Sequence, residues 1–575
     1  MVSARASPAP PAGNANLAPP ADRSTARRPA GHDPQCVVNA TAANNRAKGV
    51  PANSGQVNRV SATAAVVRST ASPYARTALP VSVVDRGAAG LGGLGKGCRV
   101  VSPDIGRPPS SLDRRLNRWP TGETLHELLT DAANRAARYV REAGSRRVAP
   151  GPASLAALDQ LGGPLPELPT PAPEVLELVD RVGSPATVAA SGGRYYGFVN
   201  GGILPASLAA GCLATAWNQN AALHVMSPVG AALEQIALEW VSDVLGLPAG
   251  CGGAVLTGAT MANLSGLAAA RHALLHRAGW DVERQGLFGA PPLTVVVGDE
   301  VHVSLLKALG LLGLGRDRVT RVPADDQGRM RAGALPVLDD RTIVCVQAGN
   351  VNTGAFDPAR EIIERAREAG AWMHVDGAFG LWAAASPRYR HLTEGFEQAD
   401  SWATDAHKWP NAGYDCGVAL VRDAAHLHAA MTATAAYFTP GGLREPSQFT
   451  PEMSRRARGI ELWAALRSLG RRGLADLVER TCGHAQTFER RLREHGYAIV
   501  NEVVINQVLV SFGPPDVTTA VIRRLQDEGT CWCGGTEWQG HTAMRISVSS
   551  WATTDEDVEL SIAAIVRAVD ECRRG

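Results

Sequence analysis

Between residues 254 and 421 short apolar runs, each ending in a turn or loop, alternate with stretches of helical period, without an internal sequence repeat. The apolar runs fall at 254–257, 293–297, 342–347, 372–375, 401–404 and 417–421, and helices are expected at 261–276, 303–312 and 358–369. Runs this short, with too few polar residues to alternate, are strands covered on both faces. The helices between them serve as the crossovers that parallel strands require. The alternation therefore predicts an α/β fold with a mostly parallel central sheet flanked by helices. Ligands of such sheets gather at the carboxyl ends of the strands, so the chemistry is to be sought in the turns that follow each run.

The flanks read differently. Apolar residues at helical spacing occupy 121–143 and, after a Pro/Gly-rich linker, 173–183; a long, mostly helical stretch over 205–247 breaks near Ser227 and Pro228. Beyond about residue 425 come long helices at 452–468 and 472–495 and strands near 505–512 and 544–549, a smaller α+β arrangement. The expected organisation is a disordered extension over 1–110, an N-terminal helical segment over 111–190, a large domain over 191–425 and a small domain over 426–575. The extension is rich in Ala, Pro, Ser, Asn, Gly and Arg and poor in acids, so it buries too little apolar surface to offset its ordering entropy. Its acid-poor, Arg-containing composition resembles a transit peptide, but it is long and lacks an amphipathic helix, so a disordered extension or sequence upstream of the natural start is expected. Within it, the run from Gly90 to Lys96 has the spacing of a phosphate-binding loop, but Gly97 stands where Ser or Thr would hold magnesium, and no apolar helix follows.

A net charge of +2 argues against a nucleic-acid or membrane-surface partner, and no segment approaches the ~20 continuous apolar residues of a spanning helix. The ten cysteines are scattered, as expected for reduced core residues of a cytoplasmic protein. Cys531 and Cys533 form the one close pair, but no second pair or histidine stands at ligand spacing. That segment is expected to be part of a strand, and no metal is expected.

Four strand-end turns carry reactive groups. Lys408 follows the run at 401–404, between His407 and Trp409, in a chain with few lysines. A loop lysine is usually a solvated surface charge; one at a strand's carboxyl end is placed to form an imine. Asp376 ends the run at 372–375 and precedes the small residues Gly377 and Ala378. It is either a helix cap or a carboxylate that holds a ring nitrogen protonated above a space left for a flat ring. Thr257, Gly258, Ala259 and Thr260 lead from a strand into a helix, an ordinary turn or a phosphate seat formed by free N–H groups and the helix dipole. His302 follows the run at 293–297, as a structural imidazole or one stacked on a ring. An amine and a carboxylate on neighbouring strands, with a phosphate seat, are what pyridoxal phosphate needs from a protein.

These turns belong to a longer series of blocks. In chain order they are Tyr195-Tyr196-Gly197-Phe198; Gly258-Ala259-Thr260-Met261-Ala262-Asn263; His302 with Ser304 and Lys307; and Gly349-Asn350-Val351-Asn352-Thr353-Gly354-Ala355-Phe356-Asp357. His374-Val375-Asp376-Gly377-Ala378, Asp405-Ala406-His407-Lys408-Trp409, Tyr414-Asp415-Cys416-Gly417 and Ser454-Arg455-Arg456-Ala457-Arg458 follow. Over roughly residues 120 to 570 the chain resembles the group II pyridoxal-phosphate-dependent decarboxylases, the family of aromatic amino acid and glutamate decarboxylases.

The resemblance implies a fold-type-I, aspartate-aminotransferase-like dimer with its active sites between subunits. It implies that Lys408 forms the aldimine with pyridoxal phosphate, Asp376 partners the pyridinium and His302 stacks on the ring. Gly258, Ala259 and Thr260 would seat the phosphate, and Thr353, Thr404 and His407 would lie close to the cofactor. Tyr195, Phe198, Trp217 and Asn220 would line the substrate pocket, some of them from the partner chain, and favour an aromatic or apolar side chain. The implied reaction removes CO2 from an L-amino acid to give an amine. Aldehyde formation, transamination and cofactor binding without turnover are the alternatives. In animal relatives a loop tyrosine is thought to protonate the α-carbon; here Phe449 or Pro446 falls near that place, with Tyr437 upstream. Arg545 is read either as a partner of the substrate carboxylate or as a member of an ordinary salt bridge.

Overall fold

A computed structural model describes residues 122–433 and 443–574. The 1–110 extension, the glycine-rich segment at 90–97 and Tyr437 lie outside them. The apolar runs form a seven-stranded sheet of β1 (Gly252–Leu256), β2 (Thr294–Gly298), β3 (Thr320–Val322), β4 (Thr342–Gln347), β5 (Trp372–Asp376), β6 (Ser401–Asp405) and β7 (Gly417–Val421), in the order β1-β7-β6-β5-β4-β2-β3. Strands β6, β5, β4, β2 and β3 are parallel, whereas β7 runs antiparallel to both β6 and β1. The reason is length. A parallel return needs a crossover of about a dozen or more residues, usually a helix. Residues 406–416 between β6 and β7 hold a turn alone, and Lys408 is on it.

The longer helices ahead of the second sheet are α1 (Gly122–Glu142), α2 (Pro205–Trp217), α3 (Pro228–Val244), α4 (Ala259–Arg277), α5 (Val303–Leu311), α6 (Ala359–Glu368), α7 (Ala424–Met431) and α8 (Gly459–Glu494), of which α3, α4, α6 and α7 lie on the seven-stranded sheet. α4 packs on β5, β6 and β7 and is itself covered by α5 and α7. That double burial explains why its sequence is small and apolar on nearly every face rather than along one stripe. The expected pair of helices at 452–468 and 472–495 is α8, which starts only at Gly459 and breaks at Gly470 (φ 60°, ψ −178°), where glycine meets no Cβ penalty.

A second sheet, antiparallel throughout, has the order β10-β11-β9-β8 from β8 (Ala498–Ile499), β9 (Gln507–Ser511), β10 (Gly534–Trp538) and β11 (His541–Ser547). It packs against α9 (Pro515–Glu528), α10 (Asp555–Arg574) and the second half of α8 around Phe488, Leu492, Val508, Val510, Met544 and Ile565. The strand expected across Cys531 and Cys533 is instead a single bridge between Trp532 and Tyr195, with both thiols buried and free. Among the described residues no helix is long and apolar enough to cross a membrane, and no group of three or more His, Cys, Asp or Glu side chains could hold a metal.

Candidate active site

The carboxyl ends of β1, β5 and β6 meet at one place. Asp405, the last residue of β6, is 3% exposed. Its Oδ2 lies 2.9 Å from Nζ of Lys408 and 3.5 Å from Nε2 of His407, and its Oδ1 accepts the first amide of α4, Ala259 N–H, at 2.5 Å. One buried carboxylate thus ties the lysine to the amino end of the helix after β1. The sequence reading placed Lys408 and this helix terminus near each other but missed Asp405 as the link.

The lysine turn is held from behind. Asn411 adopts a left-handed backbone (φ 67°), which Asn tolerates better than most residues. Fully buried, it donates to Lys408 O and Ser549 O and accepts from Gly202 N and Trp551 N. A Cβ on Gly201 would lie 2.1 Å from Lys408 O, so the 200–203 loop can press on the turn only as glycine. Tyr414 stacks on His407 at 4.3 Å and bonds Asn200.

Asp376 ends β5, is 4% exposed, and accepts from Asn263 Nδ2 at 3.1 Å and Ala378 N at 3.3 Å. Burial pushes its carboxyl upward, while His302, Lys408 and the Asn263 bond pull the other way. His302 caps α5: its Nδ1 accepts Ser304 N–H at 3.3 Å and lies 2.6 Å from Ser304 Oγ, so in the neutral ring Nε2 carries the hydrogen. Burial holds this imidazole below the ordinary histidine range, with Lys408 and Arg545 adding to the effect and Asp376 and Asp405 opposing it. Arg545, on β11, reaches the same neighbourhood. Its Nη1 bonds Val351 O at 3.3 Å and Asn352 Oδ1 at 3.2 Å, and no carboxylate among the described residues pairs with it. The ordinary salt bridge expected as one alternative is therefore not made.

Other residues fall nearby or elsewhere. Tyr195 and Phe198 flank Trp532, at 5.2 and 5.5 Å between ring centroids, and Phe198 is 65% exposed. Trp532 went unrecognised because it sits in the small C-terminal part, more than three hundred residues from its partners. Trp217 ends α2, and Asn220 bridges to Arg456 and bonds Ser454; neither touches Lys408, Asp376 or His302 within the chain. Thr353 is buried, and its hydroxyl donates to Gln327 O at 2.7 Å and accepts Ala355 N–H at 3.2 Å. Thr404 is buried with Oγ1 unpartnered, and strand alternation turns it to the face of β6 opposite Asp405. In the arginine-rich block, Arg455 makes a buried ion pair with Glu234 at 2.9 Å, and Arg458 pairs with Asp415. Phe449 lies against His428 (5.4 Å) and under the Arg444 guanidinium (4.5 Å), while Pro446 is buried. Neither stands at Lys408.

The constellation fits a flat, anionic carbonyl cofactor. Asp376 is a buried carboxylate that no cation among the described residues bonds directly, and Lys408 presents a part-buried amine at the end of the neighbouring strand β6. Gly258 keeps the helix terminus clear, since a Cβ there would come to 3.2 Å from His407 and 3.3 Å from Asp405. Gly417 lets β7 close on that turn, its own Cβ position being 2.4 Å from Gly258 Cα.

Comparison with known proteins agrees. Residues 169–513 match the pyridoxal-dependent decarboxylase conserved domain. Tryptophan decarboxylase 1 of Oryza sativa subsp. japonica is 27% identical over 407 residues, 64% of this chain and 78% of that protein. An acidic amino acid decarboxylase of Mus musculus is 29% identical over 359 residues, 59% of this chain and 62% of its own length. The crystal structure of Oryza sativa TDC with PLP and tryptamine superposes with a TM-score of 0.72 at 22% identity, covering 79% of this chain and 99% of that one.

Proposed function

The chain belongs to the pyridoxal-dependent decarboxylases, pyridoxal-phosphate-dependent carboxy-lyases acting on amino acids, and on that premise we propose that it converts an L-amino acid with an aromatic or apolar side chain to its amine. The observation that carries the site assignment is the convergence of Lys408, Asp405, Asp376, His302 and Arg545 at the ends of β5 and β6.

When bound, pyridoxal phosphate supplies a carbonyl that joins to amines and a ring that takes up the electron pair left by departing CO2. The chain's own residues do the rest. Asp405 Oδ2 holds the Lys408 amine at a fixed place above the end of β6. Asp376, with Asn263 behind it, would hold the ring nitrogen and keep a proton on it. His302, hydrogen-bearing at Nε2 in its neutral form, would lie against the ring. Gly258, Ala259 and Thr260 seat the phosphate at the amino end of α4, with His407 beside them. Arg545, a half-buried guanidinium with no carboxylate partner among the described residues, takes the substrate carboxylate. Tyr195, Phe198 and Trp532 form the wall for the side chain.

The large domain (191–425) supplies the cofactor contacts, and the small domain (426–575) brings Arg545 and Trp532. The functional unit is a homodimer. Supporting that reading, α2 is almost wholly apolar yet buries only Ser207 and Ala214 and leaves Leu213 and Trp217 exposed, and Phe198, Val225 and Met226 in the segments before and after it are exposed too. Trp217 and Asn220 would then serve the partner's pocket. The free thiols support a cytoplasmic setting.

The test is a panel of L-amino acids incubated with the purified, cofactor-loaded protein, with amine, aldehyde, CO2 and peroxide all quantified, beside Lys408→Ala and a light-scattering mass. Amine and CO2 in equal amounts from aromatic substrates, lost in the variant, are expected. Stoichiometric aldehyde and peroxide without amine would overturn the amine reading.

A further inference from the structure

Behind Asp376 a continuous line of hydrogen bonds runs through the interface between the sheet and α4. Trp372 Nε1, at the start of β5, donates to Ser401 Oγ at 2.9 Å. Ser401 Oγ lies 2.8 Å from His374 Nδ1, His374 Nε2 lies 2.8 Å from Asn263 Oδ1, and Asn263 Nδ2 donates to Asp376 Oδ2 at 3.1 Å. All five residues are at most 5% exposed.

The line has one direction, set at both ends. An indole N–H can only donate and an ionised carboxylate can only accept. Asn263 must therefore present its amide N–H to Asp376 and its oxygen to His374. His374 is fully buried, and burial lowers it to about 3, so it is neutral with a single ring hydrogen. That hydrogen is on Nε2, facing Asn263, and Nδ1 accepts the Ser401 hydroxyl. Each member thus donates toward Asp376, and aligned bonds of this kind polarise one another. The helix makes room for the line: a Cβ on Gly266 of α4 would lie 2.7 Å from His374 Cε1. Glycine is otherwise unfavourable in a helix interior.

We propose that Trp372, Ser401, His374 and Asn263 are positioning residues for Asp376, their aligned donors keeping its carboxylate ionised in a buried site so that the proton it faces stays on the cofactor's ring nitrogen. This rests on the reading of Asp376 as the ring-nitrogen partner. Lys408 and Asp405 from the β6 turn, His302 ahead of α5 and Cys345 on β4 also face Asp376, and none of them belongs to the line.

The experiment loads the full chain with pyridoxal phosphate labelled with nitrogen-15 in its ring, and reads the ring-nitrogen resonance across pH and the cofactor dissociation constant. Trp372→Phe and Ser401→Ala should move the resonance toward the unprotonated position and weaken binding about fivefold, the share of one net hydrogen bond. Ser401→Thr, which keeps the hydroxyl, should restore both. Trp402→Phe is the control: Trp402 Nε1 donates to Phe396 O at 2.7 Å from the same buried strand as Ser401, without a path to Asp376. Unchanged resonance and affinity in Trp372→Phe and Ser401→Ala, or equal changes in Trp402→Phe, would overturn the relay. A wild-type ring nitrogen that Asp376→Asn leaves unmoved would overturn the underlying assignment of Asp376, and the relay with it.

Discussion

Asp405 Oδ2 lies 2.9 Å from Lys408 Nζ while Oδ1 of the same carboxylate takes the first amide of the helix after β1. The residue expected to join the cofactor and the helix end expected to seat its phosphate are thus held by one buried acid. Asp405→Asn keeps an acceptor for Ala259 N–H and removes the charge, so turnover should fall by about tenfold or more with little change in unfolding free energy. Asp405→Ala should in addition lose roughly 1–3 kcal/mol of stability, because the Ala259 N–H is left buried and unbonded. Denaturant unfolding beside a decarboxylation assay separates the two effects.

Arg545 should act on substrate rather than on folding. Arg545→Met is expected to lower kcat/KM by roughly 10- to 150-fold, the worth of a charge-assisted bond, and Arg545→Lys to recover little, since a point charge does not reproduce the planar fork. An unfolding midpoint close to wild type would accompany the loss. Unaltered steady-state kinetics in Arg545→Met would remove it from the site.

Trp532 packs so closely on the 195–198 loop that a Cβ on Gly197 would be 2.3 Å from its ring. Trp532→Ala should therefore reduce kcat/KM for aromatic amino acids up to about tenfold more than for small aliphatic ones, in line with the ~0.5–1.5 kcal/mol carried by such ring contacts. The ratio of the two specificity constants is the measurement, and an unchanged ratio would count against the aromatic wall.

Stability should be acid-sensitive through His374. Its folded value, about 3, is depressed below the unfolded value near 6.5, so the unfolded chain binds the extra proton between them. The contribution is complete above about pH 6.5 and is lost progressively as pH falls toward 3. The difference in unfolding free energy between wild type and His374→Gln should shrink over that window, on the order of a few kcal/mol in total. Chemical denaturation at a series of pH values reads it directly; a difference that is flat with pH would contradict the buried neutral state.

Phe449 should matter for packing and not for the product. Wedged between His428 and Arg444, it is expected to cost about 1–3 kcal/mol of stability on change to Ala. The ratio of amine to aldehyde should stay as in wild type, by chromatography of the reaction mixture. A shift toward aldehyde would return Phe449 to the reacting centre.

The large sheet was legible because its strands are short, doubly buried runs separated by helices, a pattern carried by neighbouring residues. The strand-end positions of Lys408 and Asp376, and the turn at Gly258, were legible for the same reason. The antiparallel course of β7 was not read, although the shortness of 406–416 was its available sign. The reading of Phe449 rests on spacing in a loop, and spacing does not say which face a loop side chain presents.

The order of elements, the family to which the chain belongs and the presence of a reactive amine and carboxylate at strand ends were determined by the sequence alone, since each is written in adjacent residues. Which groups surround them was decided only by tertiary structure. Asn263 reaches Asp376 across 113 positions, His374 reaches Asn263 across 111, and Asn411 reaches Ser549 across 138. Among the described residues Arg545 stands without a carboxylate because of what the fold leaves out of its reach. Hydrogen bonds between such distant positions leave no period in the chain, and they exist only once α4 lies on the sheet and the second sheet closes against the lysine turn.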